Sequence, residues 1–178
     1  MKKCILFSLT ILFTSLIITK ADCQSNKTTS QKDSLRISEL NSFWNEVSRT
    51  VQTGDFEGYK ATYHNDAVCV FTTGKNKKST SVALQLELWK KGFMDTKAGK
   101  NHDKVDFRFS QRVGDENTAH ETGIFYYTSV DKDGKVLTKS FIHFEGLLVK
   151  QKGVWKSIME YQKTETTQKE WDALPKLQ

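Results

Sequence analysis

At 178 residues with 37% hydrophobic content, the chain is long enough to bury one ordinary core, and nothing in its composition marks a second. Its 27 Lys and Arg against 21 Asp and Glu leave a net charge of only +6, spread over turns and helix faces, so a nucleic-acid partner is excluded as the main role. A glycine-rich phosphate loop, a dinucleotide fingerprint and a Gly-x-Ser-x-Gly elbow are all missing, which removes the usual nucleotide-binding and serine-hydrolase motifs.

In chain order, Met1-Lys2-Lys3 precedes an uncharged run from Cys4 to Ile18, followed by Lys20-Ala21-Asp22-Cys23-Gln24. The run is shorter than the ~20 apolar residues a membrane span needs, so residues 1–23 are expected to be a signal peptide cleaved after Cys23. Lipidation of Cys23 is the alternative, although Lys20 and Asp22 depart from that pattern. The expected product is exported, periplasmic or secreted, with no other membrane attachment. It would retain Cys69 as its single thiol, read as a buried structural cysteine. Residues 24–33 are polar and read as a disordered spacer.

Leu40, Phe43, Trp44, Val47 and Val51 recur at helical spacing, predicting a helix over 33–52 that stops at Gly54. Asp55 is placed to cap a second, shorter helix carrying Phe56, Tyr59 and Tyr63 inward and ending near His64 to Asp66. Residues 67–72 are apolar and β-branched, hence a strand, and 74–78 form a turn. Ser79 or Thr80 is expected to cap a third helix whose apolar face holds Val82, Leu84, Leu86, Leu88, Trp89 and Phe93. Val105, Phe107 and Phe109 alternate with polar residues as a half-buried strand does. Residues 118–130 and 136–150, joined by Asp131-Lys132-Asp133-Gly134, then a turn at Gln151-Lys152-Gly153 and a final strand, form an antiparallel meander. Helices first and strands later predict an α+β domain in which a curved antiparallel sheet closes over helices.

The wording Ala119-x-Glu121-Thr122-Gly123, then Asp133-Gly134-Lys135, then Gly153-x-Trp155-Lys156 resembles the SnoaL-like branch of the nuclear transport factor 2-like superfamily. The resemblance implies an exported bacterial member with a cone-shaped fold: about three N-terminal helices packed on a strongly curved mixed or antiparallel sheet. It covers residues 34–163 and leaves 164–178 as a C-terminal tail. That scaffold carries enzymes, binding modules and assembly domains alike, so it fixes no reaction.

Glu160, in Ile158-Met159-Glu160-Tyr161-Gln162, is the first candidate for chemistry. Pointing inward among apolar neighbours, it would have a raised pKa and serve as a general base or a ligand anchor; pointing outward, it would be an ordinary solvated carboxylate. Strand register decides its neighbour. One pairing sets His143 opposite Glu160 as an acid/base dyad, and a slip of one residue sets Phe144 there instead. Trp44, Tyr59, Tyr63, Trp89, Phe93, Phe125, Tyr127 and Tyr161 are candidates for an aromatic cavity, with Arg108, Glu121 and Gln162 as its polar contacts. The four His residues lack ligand spacing, so neither a metal nor a cofactor is expected. A homodimer is expected through His120, Ile124, Phe141, His143 and Leu147 on the open sheet face. The functional expectation is an exported module that binds a small apolar or amphipathic molecule of unknown identity. The alternatives are an isomerase, cyclase or hydrolase using a pocket carboxylate as general acid/base, and a non-catalytic dimeric interaction domain.

Overall fold

A computed structural model describes residues 21–75 and 77–177, with side chains from Gln31 onward, apart from Asn76. All but the last three residues of the expected signal peptide therefore lie outside the described residues, and its cleavage is not addressed. Helix α1, Ala21–Thr53, includes the stretch expected as an irregular spacer. That stretch has neither Pro nor Gly to stop a helix, and it lacks the apolar periodicity that would have announced one. No helix among the described residues is long and apolar enough to cross a membrane.

Gly54 ends α1 with φ +65°, and a Cβ there would lie 2.5 Å from backbone atoms of Phe93 and Lys97. Only glycine supplies that turn and that close approach together. Asp55 accepts a hydrogen bond from the Gly58 N–H at 2.9 Å and caps α2, Phe56–Ala61. The helix is shorter than expected: Tyr63 opens strand β1, Tyr63–Phe71, rather than closing α2. Strand β2, Lys78–Ser81, was not foreseen. Ser79 and Thr80 pair with Val70 and Cys69 instead of capping a helix, and Ser81 caps α3, Val82–Lys97. Val82 and Leu86 are buried, whereas Leu84 and Leu88 are 66% and 68% exposed, so the inward face of α3 is narrower than the apolar count suggested.

The remaining strands are β3, Asn101–Gly114, β4, Thr118–Asp131, β5, Val136–Gln151, and β6, Val154–Glu165. They lie in the order β2-β1-β6-β5-β4-β3, antiparallel except for the parallel pairing of β1 with β6. This is an α+β fold with a curved, unclosed mixed sheet. Helices α1, α2 and α3 pack over its inner face, where Leu40, Phe43, Trp44, Phe107, Phe144 and Trp155 belong to one buried cluster.

The outer face carries a second cluster. After β6 the chain forms a short helix α4, Gln168–Ala173, whose Trp171 is buried against Ile124 and Phe141. Arg108 stacks 4.4 Å from the Trp171 ring and donates to the Trp171 carbonyl at 2.8 Å, while His143 meets Glu170 at 3.1 Å. The tail thus covers much of the face expected to make a dimer, leaving His120 and Leu147 half-buried beyond it.

Candidate functional site: an aromatic cavity under the sheet

A strand's side chains alternate between faces, so the inner residues of β6 should follow a single parity. They do not. Trp155 and Ser157 are buried, but Ser157 pairs with Leu148 and Met159 with Leu147, leaving Ile158 as an extra residue. Such a bulge resets the alternation, and Glu160 and Gln162 face the interior beyond it. Glu160 stands opposite Gly146 of β5 on one side and Cys69 of β1 on the other.

The residues beneath the sheet enclose a cavity of about 520 Å³, within the range of small-molecule sites. Its walls are mainly aromatic, with Trp44 centred 4.6 Å from Phe107, and Tyr59 4.8 Å from Phe93 and 5.8 Å from Trp89. Glu160 is half-buried, and the surface it keeps belongs to this cavity. The Tyr63 hydroxyl donates to its Oε2, Gln162 Nε2 donates to its Oε1 at 2.7 Å, and the Tyr59 and Tyr63 hydroxyls are 2.9 Å apart. Burial pushes the Glu160 carboxyl above its ordinary value, against the two hydrogen bonds, which favour its charged form. Burial, and next the charge of Glu160, push both tyrosines well above the ordinary phenol range.

A second polar group lies along the same wall. Asp103 on β3 accepts from Asn101 Nδ2 at 2.7 Å and is hydrogen-bonded to Tyr127. Burial raises the Tyr127 phenol, followed by the charge of Asp103. Cys69 is fully buried, and burial pushes its thiol up to about 12, which leaves it inert as a nucleophile. Among the described residues, no group of three or more His, Cys, Asp or Glu side chains is gathered where it could hold a metal.

No protein-family model matches the sequence, and neither does any curated protein. Solved structures do. An NTF-2-like protein of unknown function from Shewanella oneidensis aligns with a TM-score of 0.55 at 13% identity, over 71% of this chain and 97% of that one. A ketosteroid isomerase-like protein from Erwinia carotovora atroseptica aligns at 0.54 and 16% identity, over 74% and 96%. An uncharacterised protein with a cystatin-like fold from Caulobacter vibrioides aligns at 0.52 and 14%, over 74% and 90%. The chain has the nuclear transport factor 2-like cone fold. Identities this low carry the fold and no activity.

Within the cone, Trp44, Tyr59, Tyr63, Trp89, Tyr127, Glu160 and Gln162 line the cavity, as do Phe93 and Phe125. Arg108, Glu121, His143 and Tyr161 do not. His143 cannot form a dyad with Glu160, because β5 pairs it with Thr164 and turns it to the outer face beside Glu170. Arg108 also faces outward and holds α4. Glu121 points inward but is fully buried and spent: it accepts from Trp44 Nε1 at 2.7 Å and from two Arg112 nitrogens at 2.8 Å. Arg112, the real inner arginine, reaches it because a bulge at Ser110 resets the alternation of β3. Asp103, Ser140 and Glu165 line the cavity and were missed. Asp103 could have been found by carrying the Val105, Phe107, Phe109 alternation back one step.

Proposed function

We propose that the protein is a small-molecule-binding module that holds an apolar or amphipathic ligand inside the cone, with its polar end against Glu160, Gln162 and Tyr63. The observation that carries this reading is an aromatic cavity of about 520 Å³ whose inward carboxyl, Glu160, is bonded by the neutral groups Tyr63 and Gln162. Export of the mature chain, read from residues 1–23, belongs to the same proposal. Trp44 and Trp89 line the cavity and report on its occupancy. The neutral dye N-phenyl-1-naphthylamine should bind saturably at one site per chain, with energy transfer from tryptophan, and Ser140→Trp should weaken it by adding bulk to the wall. Non-saturable binding by a correctly folded chain would sink this reading.

A second reading, an enzyme that transfers protons, is favoured by the chain of hydroxyls from Tyr59 through Tyr63 to Glu160. A carboxyl whose pKa burial raises, linked to two phenols, can take up or return a proton at a bound ligand. Glu160→Gln distinguishes the two readings: an enzyme loses turnover and keeps binding, whereas a binding module changes only its affinity for polar ligands. A homodimer through the outer face would have to use the surface beyond α4 or displace it.

A further inference from the structure

We propose that the cavity selects organic cations, namely a quaternary or protonated amine carried on an apolar body. The inference rests on the binding reading above and names the ligand class for the same site.

The charge of the wall is one-sided. Asp103, Glu160 and Glu165 line the cavity, and no Lys, Arg or His among the described residues does. This occurs in a chain with 27 basic side chains and a net charge of +6, so the absence is not a matter of supply. Elsewhere the protein matches several of its carboxylates with cations. Glu121 has Arg112, Glu39 has Lys150, Glu145 has Lys163 and Asp95 has Lys100. Glu160 has a phenol and an amide, and Asp103 has an amide and a phenol. These neutral donors orient the two carboxyls and supply no counter-charge. A cation entering the cavity supplies the missing partner, whereas an anion would be desolvated next to like charges.

The aromatic surfaces point to the same ligand. Tyr59 meets Tyr63 edge-on at 5.4 Å and Trp89 at 5.8 Å, and all three rings line the cavity into which Glu160 points, with the Tyr63 hydroxyl on that carboxyl. Ring faces attract ammonium groups within about 6 Å, most strongly when water is excluded. A carboxylate together with aromatic faces suits a diffuse, weakly hydrated organic cation. A compact, strongly hydrated metal ion would want several oxygen ligands converging on it.

The test uses three probes on one skeleton with the full chain: (2-naphthylmethyl)trimethylammonium, 2-naphthylmethanol and 2-naphthoate, titrated calorimetrically at neutral pH. The cation should bind about tenfold more tightly than the alcohol, and the carboxylate about tenfold more weakly. Glu160→Gln should weaken the cation more than the alcohol and so shrink the cation-over-alcohol ratio; Asp103→Asn is the second variant should the first fail to fold. Equal or tighter binding of 2-naphthoate, or a cation-over-alcohol ratio unchanged in both variants, overturns this inference alone. If none of the three probes binds, the binding reading falls with it.

Discussion

On the inner face of the sheet, Gly146 of β5 pairs with Glu121 of β4 on one side and Glu160 of β6 on the other. Their Cα atoms thus lie two strand spacings apart, roughly 9–10 Å, and the Trp44 ring packs against the glycine between them. Glu121 has a cation and an indole N–H as partners and no surface left to offer. Glu160 has neutral partners and faces the cavity. Burial alone therefore does not mark a functional carboxylate. What separates the two is whether the protein has already supplied a counter-charge: Glu121 fastens α1 to the sheet through Trp44 and has Arg112, while Glu160 is held in place by neutral donors alone.

The largest expected effect comes from removing that counter-charge at Glu121. Arg112→Met would strand a fully buried carboxylate, a loss of about 3–5 kcal/mol, seen as a lower midpoint in chemical denaturation. Adding Glu121→Gln should recover part of it, since no charge is then left without a partner. A single variant as stable as the parent would show that the pair is not what holds this end of the cone.

Gly146 makes room for the indole. A Cβ there would lie 3.3 Å from the Trp44 ring, so Gly146→Val must push the ring aside, at about 1–3 kcal/mol. The ring carries the N–H bonded to Glu121 and also lines the cavity, so the variant should lose stability and dye binding together. Loss of one without the other would break the proposed link between the two ends of Trp44.

The smallest effect has the opposite sign. Burial raises the folded-state pKa of Glu160 above its ordinary 4.5, so the fold favours the neutral carboxyl. That contribution is complete below the unfolded value and is lost as pH rises through the folded one. Glu160→Gln, which stays neutral, should therefore match the parent near pH 4 and exceed it modestly at pH 8. Melting curves at the two pH values check this. Destabilisation at pH 8 would mean that the hydrogen bonds from Tyr63 and Gln162 outweigh the burial that opposes them.

Much of the frame was legible because it rests on repeated local signals. Phe43, Trp44 and Val47 on α1, and Val105, Phe107 and Phe109 on β3, point inward as their spacing demands. The aromatic lining followed from that spacing. Strand β2 was missed because Lys78 to Ser81 carries no apolar alternation and is a strand only through its backbone pairing with β1. Helix α4 escaped notice because Trp171 is a lone buried aromatic in a short polar segment, and one residue makes no period.

The assignment of polar contacts failed at the bulges. Arg108 and Arg112 sit on β3 with the same parity, yet the extra residue at Ser110 sends one outward to α4 and the other inward to Glu121. The bulge at Ile158 likewise turns Glu160 inward and sets it opposite Gly146, while His143, farther along β5, pairs with Thr164.

By itself the sequence determined the apolar-faced parts of α1 to α3, the meander and most of the aromatic side chains that share an interior, since each depends on residues a few positions apart on one face. Only the tertiary structure decided which carboxyls meet a cation and which meet the cavity. A bulge is set by how two whole strands accommodate their partners, and one extra residue exchanges inside for outside along the rest of a strand.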